Sequence, residues 1–286
     1  MKNTSASIRA RLLNLAKQQG LNFQLVIIRY LQERLLYRLS ISPYNKNFYL
    51  KGGALMYAFE GSKTRFTLDI DLLGSAVANN TQTIKTIFTE IAKTNFPNDG
   101  VIFNSKTIYT KGISEQDKYN GIRIFIDATF NTIKQRLQVD VGFGDVIVPI
   151  SYGSVNYPVL LSDLAMPILQ AYSMETQIAE KFQAMIELSL ANSRMKDFYD
   201  VYKLLSRKKY DENTLDEAIR STFSNRNTPY TGNHSLFTEE FFSNSNRKRM
   251  WKAFLNKIGQ DKELEFSLVG ETIREILEPH WEKLKQ

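Results

Sequence analysis

The stretch Lys51–Gly74, KGGALMYAFEGSKTRFTLDIDLLG, decides how the chain is read. At its front, Gly52-Gly53 stands between the apolar-aromatic run Phe48-Tyr49-Leu50 and the helix-compatible segment Ala54 to Glu60. A glycine pair between a strand and a helix lets the backbone bend tightly and approach a ligand, and the helix start behind it suits a phosphate. At its back, Phe66, Leu68, Ile70 and Leu72 alternate with Thr67, Asp69 and Asp71, the two-residue period of a half-buried strand. Asp69 and Asp71 would then lie roughly 6.6 Å apart on one face and repel by about 2.5 kcal/mol at an effective dielectric near 20. A cation between them removes that cost. Carboxylates without Cys or His favour a hard ion such as Mg²⁺, which commonly also holds substrate phosphates. The stretch therefore reads as a phosphate cradle facing a metal site.

The rest of the composition narrows the chemistry. The chain has 286 residues, 43% hydrophobic and 23% charged, and suits one large soluble globular domain or two ordinary ones. It has no cysteine, which excludes disulfides, zinc-thiolate sites and thiol nucleophiles, and its two histidines, His234 and His280, argue against a Ser-His-Asp triad. No secretory or membrane-spanning segment is read, so the expected location is cytoplasmic, with no membrane partner. The net charge is +7, and residues 1–51 carry nine Lys/Arg against one acid, a local +8 that leaves the remainder at −1. Such a segment is either a solvated helical face or a surface for a nucleic-acid backbone. Arg247-Lys248-Arg249 with Trp251 and Lys252 forms a smaller basic cluster, in which Trp251 reads first as a packing residue.

Outward from the organising stretch, the pattern predicts helices from Ser5 or Ser7 to Gln18 and over Asn22 to Leu39, then Thr81 to Phe96. Strand-like runs follow at Val101 to Tyr109, Ile122 to Phe130 and Arg136 to Phe143, with a turn at Asn120-Gly121. From about Leu161 the pattern is helical: Met174–Leu190, Met195–Leu205, and later helices over 213–223, 246–258 and 267–283. The expected fold is α+β, a nucleotidyltransferase-like mixed sheet flanked by helices in residues 1–160 and a helical C-terminal domain in 161–286.

Asp140 points to the polar face of a strand otherwise built for burial, beside Gly142 and Gly144. If its strand neighbours that of Asp69 and Asp71, three carboxylates can hold one or two Mg²⁺ ions for phosphoryl or nucleotidyl transfer. In the helical half, Lys181 lies mid-helix, and Asp197 and Asp200 share one face at the start of the next helix. Arg194 and Lys196 beside them can pair with these acids or with phosphates; an ordinary salt-bridged helix start explains this pattern equally well.

In order, Lys51-Gly52-Gly53-Ala54-Leu55, Arg65-Phe66-Thr67-Leu68-Asp69-Ile70-Asp71, Asp140-Val141-Gly142-Phe143-Gly144-Asp145, Glu180-Lys181 and Ser193-Arg194-Met195-Lys196-Asp197-Phe198-Tyr199-Asp200 resemble the AbiEii/AbiGii toxin family of DNA-polymerase-β-like nucleotidyltransferases, which includes the MenT-type toxins. The resemblance implies an NTP substrate, Mg²⁺, and a toxin–antitoxin or abortive-infection pair with a protein antitoxin encoded nearby. For MenT-type relatives it implies nucleotide addition to the acceptor end of tRNA. By position it assigns Asp69, Asp71 and Asp140 to metal, with Lys181, Asp197 and Asp200 completing the catalytic set. Lys51, Gly52, Gly53, Arg65, Thr67, Lys181, Arg194 and Lys196 form the expected nucleotide-binding set. The chain departs from the wider superfamily in having Gly-Gly where Gly-Ser is usual, which would leave phosphate contact to backbone N–H groups, and in a longer interval between Gly53 and Asp69. The expected activity is Mg²⁺-dependent transfer of a nucleotide to RNA, with the basic N-terminal helices holding the RNA backbone. Transfer to a protein or small molecule, and a non-catalytic nucleotide- or RNA-binding module, are the competing expectations.

Overall fold

The computed structural model describes residues 4–61, 64–94, 96–115, 119–149 and 153–285. The chain divides into two compact units, Met1–Gly144 with Gly153–Ala171, and Asp145–Tyr152 with Tyr172–Gln286.

The first unit is built on a mixed five-stranded sheet. Its strands are β1 (Phe48–Lys51), β2 (Asp69–Gly74), β3 (Val101–Glu115), β4 (Tyr119–Phe130) and β5 (Ile133–Phe143), in the spatial order β1-β2-β5-β4-β3. Among the four strand pairs described in this sheet, β2–β5 is parallel and the other three are antiparallel. Alternation assigns the two faces. Leu50, Ile70, Leu72, Ile122, Ile124, Ile126, Leu137, Val139 and Val141 are buried on one. Helices α2 (Phe23–Ser40) and α4 (Thr81–Lys93) cover this face, with Tyr30 packed on Phe130 and Phe88 on Phe48. Both helices begin where an asparagine side chain accepts two backbone N–H groups, Asn22 and Asn80 respectively, satisfying donors that a helix start leaves open. Helix α1 (Thr4–Gln18) precedes them and ends at Gly20, whose φ of +64° suits a helix stop. Helix α3 (Gly52–Glu60) joins β1 to β2, and a two-stranded sheet, β6 (Ser154–Asn156) with β7 (Ile168–Gln170), completes the unit.

Several expectations change. Strand pairing in β2 begins at Asp69 rather than Phe66, and Leu68 is 63% exposed instead of sharing the buried face of Ile70. Asn120-Gly121 lies within β4, paired with Ser114 and Ile113, and is not a turn. The helical run begins at Met174, because β7 occupies 168–170. The basic N-terminal surface is smaller than its +8 suggests. Arg29, Arg34 and Arg38 are 5, 0 and 2% exposed. Arg29 stacks between the Tyr57 and Phe66 rings, Arg34 meets Glu33 and the Ala165 carbonyl, and Arg38 grips Asp99. These three are core residues whose planar guanidinium groups satisfy buried acceptors and aromatic faces, and they do not offer charge to RNA. Lys2 lies outside the described residues.

The second unit is helical: α5 (Met174–Leu188), α6 (Met195–Ser206), α7 (Glu212–Asn225), α8 (Glu239–Ser243), α9 (Ser245–Ile258) and α10 (Phe266–Glu282). Its core is strongly aromatic, with Phe198 against Phe241, Phe242 and Phe266, and Trp251 packed on Phe266. Trp251 is buried and donates to the Leu264 carbonyl, as a packing residue would. Among the described residues, no helix is long and apolar enough to cross a membrane.

Candidate active site

Two register relationships assemble the carboxylates. On parallel strands, Asp71 lies opposite Asp140 and Asp69 opposite Gln138. The two-residue period puts all three acids on the face away from α2 and α4, and one oxygen from each of Asp69, Asp71 and Asp140 lies within 4.8 Å of the others. The neighbouring pairings extend the row across the whole sheet. Lys51 on β1 faces Asp71, Arg123 on β4 faces Asp140, and Lys111 on β3 faces Arg123. The carboxylates thus sit in the middle of a cross-strand row with cationic residues at both ends.

Asp140 is the most constrained of the three. Arg123 donates from Nε to Oδ1 at 2.8 Å and from its terminal nitrogen to Oδ2 at 2.7 Å, a bidentate pair. The Gln138 amide lies 3.3 and 3.2 Å from the same oxygens. The hydrogen bonds to Asp140 raise the pKa of the Arg123 guanidinium above its ordinary value, with Asp140, Asp69 and Asp71 adding charge attraction. Thr67 donates its hydroxyl to Asp69 Oδ1 and so fixes the first acid.

The glycine turn is packed directly on this cluster. Gly52 has φ +64°, and a Cβ there would fall 2.0 Å from Asp71 Oδ2. No side chain fits, on backbone and on steric grounds. At Gly53 a Cβ would lie 2.8 Å from both Cβ and Oγ1 of Thr67. The superfamily's serine is therefore excluded at 53 by a threonine from the following segment, which brings a hydroxyl to the same turn. The structure thus supplies a side-chain oxygen beside a turn expected to rely on backbone groups alone. The turn opens α3, whose N-terminus contributes the positive end of a helix dipole. Arg65 lies in the same connecting segment, and residues 62–63 of the long interval lie outside the described residues.

The donor set fits a hard divalent cation. It offers carboxylate oxygens only, and close like charges that a cation would relieve. Within this set, both oxygens of Asp140 already accept from Arg123.

The remaining expected residues form a cluster in the second unit. Lys181 on α5 donates to Asp197 Oδ1 at 2.8 Å and lies 2.9 Å from Asp200 Oδ2, both on α6. Arg194 adds an ion pair to Asp197 at 2.8 Å, while Lys196 is exposed. Burial would raise the Asp197 pKa, but Lys181 and Arg194 outweigh it and hold this carboxyl below the usual range. A second network centres on Arg226, which pairs with Asp145 at 2.9 Å and Glu180 at 2.6 Å. Two motif acids are thus anchored by an arginine that carries no motif of its own.

Arg123, Gln138 and Arg226 were not legible as site residues. For Arg123 a signal existed. The tight β4–β5 hairpin pairs Phe130 with Ile133, and counting back in step brings Arg123 opposite Asp140.

Comparison with known proteins bears on the family and the fold. The family model described as nucleotidyl transferase AbiEii toxin, type IV toxin–antitoxin system, matches residues 34–283. Among solved structures, one described as a nucleotidyltransferase from H. pylori is similar at a TM-score of 0.51 and 14% identity, over 93% of this chain and 98% of that one. The protein JHP933 from Helicobacter pylori aligns at 0.46 and 14% identity, over 92% and 94% of the two chains. An antigenic nucleotidyltransferase-like protein from Paracoccidioides brasiliensis aligns at 0.38 and 12%, over 84% and 93%. No curated protein sequence matches the chain.

Proposed function

The chain belongs to the AbiEii nucleotidyl transferase toxin family of type IV toxin–antitoxin systems, and from that premise we propose that it transfers a nucleoside monophosphate from an NTP to RNA, at the 3′ end of tRNA. The observation that carries the transfer chemistry is the packing of Asp71 on Gly52, which joins a carboxylate cluster to a glycine turn at a helix start. In this reading Gly52 and Gly53 receive the triphosphate, with Lys51, Arg65 and Thr67 around it. Asp69 and Asp71 would hold Mg²⁺, with Asp140 beside them. Mg²⁺, when bound, would neutralise triphosphate charge and lower the pKa of the attacking hydroxyl. The hydroxyl oxygen bonds to the α-phosphorus as the bond from that phosphorus to the β-phosphate's bridging oxygen breaks. Pyrophosphate leaves, and the hydroxyl proton passes to Asp140 or to water.

The tRNA acceptor is the one implied by the resemblance to MenT-type toxins, and the chain's net charge of +7 supports an anionic substrate. Family membership also implies an antitoxin partner. The test is incubation with total tRNA, Mg²⁺ and each labelled NTP in turn, beside Asp69→Ala and Asp71→Ala. Label entering RNA only with intact carboxylates supports the proposal and names the nucleotide. Label entering protein, or none with intact nucleotide binding, overturns it.

A further inference from the structure

The sheet face that bears the carboxylates continues past them onto β4 and β3, where it carries an aromatic pair with no role in the core. Phe125 and Tyr109 are cross-strand partners, two residues along their strands from the pair Arg123 and Lys111 and so on the same face. Their rings are nearly parallel, 13° apart, with centroids 6.2 Å apart. Tyr109 is 58% exposed. Lys111 is exposed as well, with its ammonium 5.8 Å from the Phe125 ring centre. The register of β3 explains how the tyrosine comes to face outward. Val101 and Phe103 are buried, and unbroken alternation would bury Tyr109 with them. A bulge between Asn104 and Tyr109 shifts the phase, so that Ile108 is buried and Tyr109 is not. The bulge is held by Asn104, which accepts from the Lys106 N–H and, through its carbonyl, from the Thr107 hydroxyl. Bulges of this kind re-aim side chains and gather next to active sites.

Direction assigns the occupant. In phosphoryl transfer the attacking and leaving oxygens are roughly in line. With the triphosphate at Gly52-Gly53, on the β1 side of β2, the acceptor hydroxyl must come from the side of β5, β4 and β3. At about 4.8 Å per strand, β4 and β3 lie roughly 10 and 14 Å from β2, within reach of the nucleotides that end an RNA acceptor. Flat aromatic rings on an open sheet face, with a cation alongside, are a recurring surface for unstacked bases. We propose that Tyr109 and Phe125 are the stacking platform for the terminal bases of the RNA acceptor, with Lys111 on the adjoining phosphate. This inference rests on the RNA-acceptor reading above.

The test uses the full chain and an RNA oligonucleotide ending in 2-aminopurine, whose fluorescence falls on stacking. The unaltered chain quenches it; Tyr109→Ala loses the quenching, and Tyr109→Trp restores it. In turnover with tRNA, Tyr109→Ala and Phe125→Leu raise the KM for RNA by about five- to hundredfold and leave the KM for NTP unchanged. Tyr109 is an exposed residue, so circular dichroism of Tyr109→Ala matches that of the unaltered chain. An equal rise in the KM for NTP would assign the platform to the incoming nucleotide and overturn the proposal, as would unchanged constants for both substrates. Failure of the RNA-acceptor reading is seen separately, in the unaltered chain. If it labels a protein and no RNA, that reading falls and the platform's occupant with it.

Discussion

Arg123 on β4 and Asp140 on β5 are cross-strand partners joined by two parallel hydrogen bonds of 2.8 and 2.7 Å. The guanidinium fork fixes the plane of the carboxylate and removes part of the like-charge repulsion beside Asp71. A lysine would keep the charge and lose the fork. Arg123→Lys is therefore expected to lower turnover by about ten- to a hundredfold, the usual cost of losing a group that orients a metal-site ligand. The pair is partly exposed, so thermal stability should change little. Steady-state kinetics beside a melting curve check both halves.

Asp69 and Asp71 carry the opposite expectation for stability. Oxygens within 4.8 Å repel by about 3.5 kcal/mol or more at an effective dielectric near 20, less where solvent screens them. Asp71→Asn should abolish transfer while raising the melting temperature in EDTA. It should also remove the Mg²⁺-dependent rise in melting temperature expected of the unaltered chain. A variant that keeps that rise would exclude Asp71 as a ligand.

The exclusion at Gly53 predicts a compensating pair. Gly53→Ser introduces a Cβ against Thr67 and should cost activity by pushing Thr67 off Asp69. Gly53→Ser with Thr67→Gly removes the clash and returns a hydroxyl to the turn, so activity should recover at least partly. Comparing the single and double variants in the same transfer assay decides it, because independent sites would show simple addition of losses.

Glu33 gives a pH dependence. Burial pushes its carboxyl up to about 7, against the pull of Arg34 and of the Leu160 N–H. A raised folded pKa stabilises below the unfolded value, 4.5, and this contribution is lost as pH rises through 7. Stability should therefore fall by roughly 3 kcal/mol across that window. In Glu33→Gln the slope should flatten, as read from urea midpoints at a series of pH values.

Lys181 separates two roles. Its ammonium lies between two buried acids, Asp197 and Asp200. Lys181→Met leaves both without this cation and should destabilise by about 3–5 kcal/mol. Lys181→Arg keeps the charge. If it melts like the unaltered chain yet transfers no nucleotide, Lys181 serves the reaction as the resemblance implies. If it is active, the cluster's task is to hold α5 on α6.

The parts legible from sequence were those fixed by short-range rules. Asp69 and Asp71 announced their face by alternation, and Gly52-Gly53 its turn by composition. What escaped depended on partners distant in the chain. Arg29, Arg34 and Arg38 look like solvent cations until Tyr57, Phe66, Ala165 and Asp99 are folded around them. The outward face of Tyr109 escaped for another reason: between the pairs Asn104–Asp127 and Tyr109–Phe125, β3 carries three residues more than β4, and an odd excess inverts every later face of a strand.

The parallel pairing of β2 with β5 also bears on how a toxin is made. Asp71 and Asp140 are about 70 residues apart in the chain and adjacent only across that pair, a closure that local hairpins such as β4–β5 do not need. A ribosome that has finished β2 has encoded the glycine turn and two acids, yet none of the strand that completes the carboxylate row. Chains cut short before β5 lack Asp140, and the carboxylate row appears only once the whole sheet has been synthesised and closed.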